Sequence, residues 1–275
     1  MKGYRGKAGQ DFFLPRLSTK EIKELDKEKG LVLLPIGAIE QHGPHLPVYT
    51  DTLIAEGLLS EAFEHLSKEN QSWLLPVLPY GKSNEHLGHP GVMSLSAAAL
   101  QQVVLDIGRS IKASGFRRMV LFNSHGGNSD LLNMMARELR IETGLMVFRL
   151  NGMDFMSEIK HLFSEEELRN GIHGGDVETS IVLALEEHWV NMNLAPNELF
   201  NKIPDIGLKG GPYAAWVIDD ISSSGILGCA KEATSEKGLE SLKLLGRKMA
   251  DVLIEMSKFE MERFKVTDVE VATQK

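Results

Sequence analysis

The sequence predicts an α/β protein with a mainly parallel sheet flanked by helices on both faces. Short apolar runs alternate along the chain with segments whose apolar residues recur at helical spacing. The runs are mostly apolar, as expected of strands that are covered on both sides. Because no Pro- or Ser-rich linker and no internal repeat interrupts this pattern, we expect one domain over residues 1–275.

The individual elements are recognised by their apolar spacing and by the residues at their ends. Gly30, Gly115 and Gly144 stand where glycine commonly follows a helix. Pro76 and Pro79 predict that the second strand ends irregularly. Residues 190–235 are loop-rich and give no ordered prediction. We expect strands at 31–36, 73–80, 119–122 and 145–150. Helices are expected at 19–29 and 52–67, after the cap Ser94-Leu95-Ser96, after Ser129 or Asp130, in a segment up to His161, and at 177–187 and 237–264. The helix that Ser129 or Asp130 caps is expected to bury Leu131, Met135 and Leu139.

Composition narrows the class of protein. The chain has 275 residues and 43% apolar residues, enough for a substantial core. Its formal net charge of −8 argues against a nucleic-acid partner, which calls for a basic surface. A single cysteine, Cys229, excludes an intrachain disulfide and fits a reducing compartment. With no secretory signal and no stretch approaching ~18 apolar residues, we expect a soluble, cytoplasmic protein without a membrane partner.

Polar residues follow the predicted strands directly. Glu40 and His42 come after the first strand, Glu85 and His86 after the second, and His125 after the third. In parallel sheets, ligands bind at the carboxyl ends of the strands. We therefore expect these side chains to meet in one crevice.

The stretch from Leu34 to Asp51 is crowded with potential metal ligands, namely Glu40, His42, His45 and Asp51. Glu40 and His42 are two residues apart, so an extended chain points both to the same side. Carboxylate and imidazole together suit zinc, manganese or iron. A site for two ions needs more ligands and one that bridges, for which Asp51 has two oxygens. The candidates are Glu40, His42, Asp51, His125, His173, Asp176 and Glu178.

Such a site would support hydrolysis. Two ions that share a water lower its pKa toward neutrality, and the resulting hydroxide can attack a carbonyl carbon. The ions also stabilise the oxyanion that forms. We choose His173 as the group that protonates a leaving nitrogen. The glycine pairs after His125 and His173 allow the backbone to approach a ligand or to turn sharply.

The proposed ligands also have structural interpretations. Asp51 suits a helix N-cap, and Glu178 suits a first-turn acid that the helix dipole favours. His125 before Gly-Gly-Asn suits a tight turn, and His173 alone suits an ordinary loop histidine.

Other residues of interest are expected to be structural. Glu85 and His86 fit an exposed loop pair as well as they fit a substrate pocket. The run Glu165–Glu167 is most simply a solvated helix face or start, and Cys229 a small buried residue. No Gly-x-Ser-x-Gly, P-loop or complete dinucleotide motif is present, so the enzyme classes that need them are disfavoured.

Four sequence blocks, together with a weaker fifth, resemble the creatininase (creatinine amidohydrolase) family. They lie in the family's order and together span roughly residues 30 to 240. The resemblance implies an α/β fold with a binuclear metal site. The blocks are Pro35–Pro47 through Asp51, Gly88–Gly91 through Ser96, Asn123–Asn128, His173–Ser180, and more weakly Gly225–Gly228 with Ala233-Thr234 and Lys237-Gly238.

By matching position, the resemblance implies roles for individual residues. Glu40 and His125 would hold one ion, His42 the other, and Asp51 would bridge them. His173 matches the family's catalytic histidine.

One departure from creatininase concerns a ligand. Creatininase has a glutamate two residues after the ligand histidine, where this chain has Gly127. Glu178 is then the natural replacement, and we count it among both the metal ligands and the catalytic residues.

A second departure concerns the substrate. Creatininase closes its pocket with tryptophans in the segment before the catalytic histidine, but this chain has none between Trp73 and Trp189. Phe155 and Phe163 are the large aromatic residues near there. The substrate is therefore not expected to be creatinine itself.

Together these observations predict an amidohydrolase with two divalent metal ions (Zn, Mn or Fe) that acts on a small cyclic amide or formamide. We expect Glu85, His86 and residues 151–172 to line the substrate pocket. Because members of the family tend to form homo-oligomers, often hexamers, the resemblance implies a homo-oligomer. Two alternatives stay open: a non-catalytic metal- or ligand-binding relative, and a metal-dependent lyase or isomerase acting on a sugar or cyclic polyol.

Overall fold

The computed structural model describes residues 3–200, 207–208 and 214–264, and it confirms the α/β fold. Its main sheet is parallel throughout. The strands are β1 (Leu31–Ile36), β2 (Ser72–Leu74), β3 (Arg118–Asn123) and β4 (Met146–Asn151), with a separate antiparallel pair formed by β5 (Asn197–Glu198) and β6 (Gly228–Cys229). The main sheet has the spatial order β2-β1-β3-β4 among the described residues.

Helices cover both faces of this sheet. The α-helices are α1 (Gly6–Gln10), α2 (Thr19–Glu24), α3 (Thr50–Glu64), α4 (Ala97–Ala113), α5 (Ser129–Thr143), α6 (Met156–Ile159), α7 (Glu165–Asn170), α8 (Asp176–Glu186), α9 (Ile218–Ile221) and α10 (Ser235–Ser257). Helices α3, α8 and α10 contribute to one apolar cluster, and α4 and α5 to the other. In the described part of the chain, no helix combines the length and the apolar character that crossing a membrane requires.

The side chains of β1 explain why its sequence is apolar at every position. Leu31 and Leu33 belong to the cluster beneath α3, α8 and α10. Val32, Leu34 and Ile36 belong to the cluster beneath α4 and α5. Successive residues of a strand point to opposite faces, so a strand covered on both sides needs apolar residues throughout.

The strand order places a crevice at the carboxyl ends of β1 and β3. Ile36 is paired with Asn123, and Asn123 with Asn151, so these strands end side by side. The chain leaves β1 toward β2 on one side of the sheet and later returns to β3 on the other side of β1. A reversal of this kind is where open α/β sheets bind their ligands.

Two elements are shorter than predicted. Helix α2 ends at Glu24, because Leu25 already has an extended backbone, so Gly30 does not terminate it. Strand β2 stops at Leu74. The Leu75 N–H still donates to Leu33, but Pro76 has no N–H to continue the ladder.

Two helices differ from prediction in detail. The N-cap of α5 is Asn128, not Ser129 or Asp130, and its buried stripe begins at Leu132 because Leu131 is only partly buried. Helix α10 begins two residues earlier than predicted, capped by Thr234, and ends at Ser257 rather than at 264.

The expectation of a solvated acidic run is wrong for one of its three residues. Glu165 and Glu166 are exposed in α7, as predicted, but the side chain of Glu167 is 4% exposed. Its carboxylate accepts hydrogen bonds from the backbone N–H groups of Cys229, at 2.7 Å, and Val177, at 3.3 Å. Glu167 thus ties α7 to β6 and to the start of α8.

We expect Glu167→Ala to lower the free energy of unfolding by about 2 to 3 kcal/mol, because two buried N–H groups lose a charged acceptor. Urea denaturation measures the change. Glu166→Ala, on the exposed side of the same helix, is the matched control and should shift stability by less than about 0.5 kcal/mol. Equal effects of the two substitutions would contradict the structural role of Glu167.

Candidate metal centre

Two loops and two helix starts bring the predicted ligands into the crevice. Glu40 and His42 lie in the loop after β1, Asp51 in the first turn of α3, His125 directly after β3, and Glu178 in the first turn of α8. The first four are at most 5% exposed, and the side chain of Glu178 is 23% exposed. The sequence therefore correctly predicted that these residues converge.

The five side chains form two groups that share Asp51. In the first, His125 Nδ1 lies 3.2 Å from Glu40 Oε2 and 3.5 Å from Asp51 Oδ2. In the second, His42 Nε2 lies 3.7 Å from Asp51 Oδ1 and 4.0 Å from Glu178 Oε2. The two oxygens of Asp51 thus face different groups, as a bridging carboxylate requires.

Several of these buried atoms have no hydrogen-bond partner among the described residues. They are both carboxylate oxygens of Glu40, His42 Nε2 and Asp51 Oδ2. Burying an unpaired carboxylate is costly, and coordination of a cation removes that cost. Three overlapping sets of side chains have the spacing to hold an ion. The residues therefore fit a metal site.

Backbone carbonyls fix which nitrogen each ligand histidine presents. His42 Nδ1 lies 3.2 Å from the carbonyl oxygen of Glu40, and His125 Nε2 lies 3.1 Å from that of Lys82. Each of these nitrogens donates its proton to the carbonyl. In the neutral rings, His42 Nε2 and His125 Nδ1 are therefore the bare nitrogens, and they face the carboxylates as ligand nitrogens must.

In the absence of metal ions, the pKa values of His42 and Asp51 favour protons at the positions where cations would bind. Burial alone would lower the pKa of His42, but the carboxylates of Asp51, Glu178 and Glu40 outweigh it and raise that pKa to about 9. Burial and the charge of Glu40 raise the pKa of Asp51 to about 6. Metal ions must therefore compete with protons for these ligands.

The structure also bears on the structural alternatives for two ligands. The N-cap of α3 is Tyr49, so the N-cap interpretation of Asp51 is wrong. Glu178 does occupy the first turn of α8, and its Oε2 accepts from the N–H of Gly174 at 2.7 Å. The same oxygen faces His42. The structural interpretation of Glu178 as a first-turn acid is therefore compatible with its position beside the candidate ligands.

Two other candidates point elsewhere. His45 Nε2 lies 2.9 Å from the hydroxyl of Thr179, and burial, followed by the charge of His42, lowers the pKa of His45 to about 4. Asp176 bonds to Ser180 and forms an ion pair of 2.6 Å with Lys237. Both residues support the loops around the centre.

His173 and the pair after β2 line the same crevice. The His173 ring is centred 4.2 Å from that of His42 and 4.4 Å from that of His86, and its Nδ1 lies 3.6 Å from Glu40 Oε1. His86 is 2% exposed, and the side chain of Glu85 is 14% exposed. The interpretation of Glu85 and His86 as an exposed loop pair is therefore wrong, while their contact with substrate stays a prediction.

The carboxylate of Glu85 occupies the space beside Gly127. Its Oε1 lies 3.4 Å from His125 Nε2. A Cβ atom at position 127 would lie 1.9 Å from that oxygen and 2.5 Å from His125 Nε2. Any side chain at position 127 would therefore displace Glu85 from the edge of a candidate ligand.

Sequence reasoning missed Gln41, which is 8% exposed and contacts both His86 and His173. Its position between Glu40 and His42 was a usable signal. Alternation turns such a residue away from its neighbours and into the loops behind them.

Comparison with known proteins places these features in a family context. A sequence profile of the creatininase family, described as creatinine amidohydrolase, matches residues 15–253. The mycofactocin precursor peptide peptidase of Mycolicibacterium smegmatis is 32% identical over 81% of this chain and 83% of its own length. Creatinine amidohydrolase of Pseudomonas putida is 32% identical over 82% of this chain and 89% of its own length. A pyrimidinone monophosphate deformylase of Methanothermus fervidus is 27% identical over 83% of this chain and 82% of its own length.

Solved structures agree with the sequence comparison. A crystal structure of creatinine amidohydrolase matches with a TM-score of 0.73 and 28% identity, over 90% of this chain and 98% of that one. Similar creatininase structures are described as a Mn form and as a Zn–Zn type.

We expect Gly127→Ala to weaken metal binding by about 10- to 100-fold, because the added methyl group displaces Glu85 and the edge of His125. Competition with a chelating dye measures the affinity, and circular dichroism confirms folding. Gly126→Ala is the matched control, since its Cβ would meet nothing within 4 Å among the described residues. Unchanged affinity in Gly127→Ala would show that this packing does not affect the metal centre.

Proposed function

The chain belongs to the creatininase family of amide-bond hydrolases, and on that premise we propose that it uses two divalent metal ions to hydrolyse a small amide or formamide. The observation that carries the proposal is the buried carboxylate of Glu40. It faces His125 and has no hydrogen-bond partner in the described part of the chain. Such a group is stable next to a cation and unfavourable without one.

We assign the ligands from the two groups that share Asp51. Glu40 and His125 would hold the first ion, His42 and Glu178 would hold the second, and Asp51 would contribute to both. Oxygen and nitrogen ligands suit zinc, manganese or iron. The Zn and Mn forms of related creatininases favour the first two.

When bound, the ions would activate a water for attack on the amide carbon and offset the charge on its oxygen. The chain itself supplies the proton transfer. His173 Nδ1 faces the crevice beside Glu40. Burial and the neighbouring charge of His42 hold the pKa of His173 well below its usual value, so its ring is neutral. Neutral His173 can accept a proton at Nδ1 and deliver it to the leaving nitrogen.

The segment before His173 supports a substrate other than creatinine. Phe163 is buried in the core, and Phe155 packs against the same cluster. Their aromatic rings are thus used in folding. We propose that Glu85, His86 and, from the segment 151–172, residues other than these two phenylalanines line the pocket, which suits a polar substrate.

We also propose that the protein is a cytoplasmic homo-oligomer. Tyr80, Leu87 and Met93 expose large apolar side chains along the loop that carries Glu85 and His86. Assembly would cover them.

We expect wild-type protein to contain close to two transition-metal ions per chain and Asp51→Ala to lose both, because the bridging carboxylate serves each ion. Elemental analysis of the purified proteins measures the content. Asp251→Ala, at an exposed position of α10, is the control and should keep both ions. Full metal content in Asp51→Ala would contradict the bridging role.

We expect the metal-loaded enzyme to turn over at least one member of a panel of cyclic amides, N-formyl amines, creatinine and short peptides. Removing the metal should abolish turnover. His173→Ala should reduce kcat by at least about 100-fold while metal content stays unchanged.

Reaction in ¹⁸O-labelled water separates hydrolysis from the alternatives. A hydrolase places one labelled oxygen in the acid product, whereas a lyase or isomerase acting on a cyclic polyol leaves the product unlabelled. A non-catalytic relative would turn over nothing, and His173→Ala would then have no measurable effect.

A further inference from the structure

The side chain of Gln41 lies behind the metal centre with its amide orientation fixed. Its Oε1 accepts a hydrogen bond from the N–H of Gly43 at 2.9 Å. Its Nε2 therefore faces the carbonyl oxygen of Gly225 at 2.7 Å, His86 Nδ1 at 2.9 Å and His173 Nε2 at 3.3 Å. An amide nitrogen has two hydrogens for these three neighbours.

The backbone of Gln41 decides which neighbour receives no hydrogen. His173 Nε2 lies 2.6 Å from the carbonyl oxygen of Gln41. A carbonyl only accepts, so His173 Nε2 carries a proton and donates it there. It cannot also accept from Gln41 Nε2. The two amide hydrogens are thus assigned to Gly225 and to His86 Nδ1.

This assignment fixes the protons of both histidine rings. His86 Nδ1 accepts a hydrogen bond and is bare, so the proton of the neutral ring is on Nε2, which lies 3.6 Å from Glu40 Oε1. His173 has its proton on Nε2 and turns its bare Nδ1 toward the same oxygen, also at 3.6 Å. The two rings are the same tautomer, but they present opposite edges to the crevice.

We propose that Gln41 is a positioning residue that divides the acid–base work between these two histidines. Through Gln41, His86 presents a fixed N–H that donates a hydrogen bond to the substrate's amide oxygen, and His173 presents a bare nitrogen that receives the proton. The inference rests on the proposed amide hydrolysis. One proton moves from water to His173 Nδ1 and then to the leaving nitrogen, while the His86 proton stays in place.

The proton positions are tested first, without substrate or metal. Protein labelled with ¹⁵N-histidine gives ring-nitrogen signals that distinguish the protonated from the bare nitrogen, and His86→Asn and His173→Asn assign them. Both rings should show a protonated Nε2 and a bare Nδ1. A proton on His86 Nδ1, or on Nδ1 of neutral His173, would overturn the proposal.

Gln41→Glu tests the consequence for catalysis. A carboxylate of the same shape can only accept, so His86 must protonate Nδ1, while the backbone carbonyl keeps His173 unchanged. We expect the ¹⁵N signals of His86 alone to change tautomer or charge. We expect kcat to fall about 10- to 100-fold on the panel amide that wild type turns over best, with metal content retained.

The control is Gln10→Glu, the same change at an exposed position of α1. It should leave the ¹⁵N signals and kcat as in wild type. Wild-type kcat in Gln41→Glu, or a His173 ring that changes together with His86, would refute the division of work. If no panel amide is turned over, the proposed hydrolysis fails, whereas the ¹⁵N result still decides the proton positions.

Discussion

The crevice is organised around a carboxylate that the described protein leaves without a hydrogen-bond donor. Glu40 is 1% exposed, and nitrogens of His125, His86 and His173 approach its oxygens within 3.2 to 3.6 Å. Burial disfavours its charge, but neighbouring histidines, His125 foremost, outweigh burial and hold the pKa of Glu40 well below its usual value. A charge of this kind needs a positive partner, and the surrounding loops bring imidazoles and further ligands toward it.

The fold was predictable where local sequence determines structure. β1 is a continuous apolar run, β3 and β4 are mostly apolar, and α4 has a serine cap that accepts from the backbone as expected. The prediction failed where tertiary pairing decides. β2 is only three residues long because a proline ends its ladder. The β5–β6 pair joins segments 30 residues apart in the chain and consists of two-residue strands, too short to show a pattern.

The convergence of the candidate residues was predictable, because strand ends of a parallel sheet converge on one edge. Glu40, His42 and His125 follow from that rule. Contacts made across loops do not. That Glu167 is buried beneath Cys229, or that Glu85 fills the space beside Gly127, depends on loop paths that no periodicity records. The same holds for the amide of Gln41, whose role depends on a count of hydrogens at atoms far apart in the chain.

If Glu178 holds the second ion as proposed, metal binding would also link two parts of the fold. In the proposed assignment the other ligands all precede residue 130, whereas Glu178 lies on α8, which packs against α10 and is joined to it by the Asp176–Lys237 ion pair. The second ion would therefore connect α8 to the ligands that precede residue 130. By thermodynamic linkage, a change that stabilises the packing of α8 would raise the affinity for that ion. Binding of the ion would stabilise the packing of α8 by the same free energy. In this chain, a ligand from α8 would make metal retention depend on the whole fold.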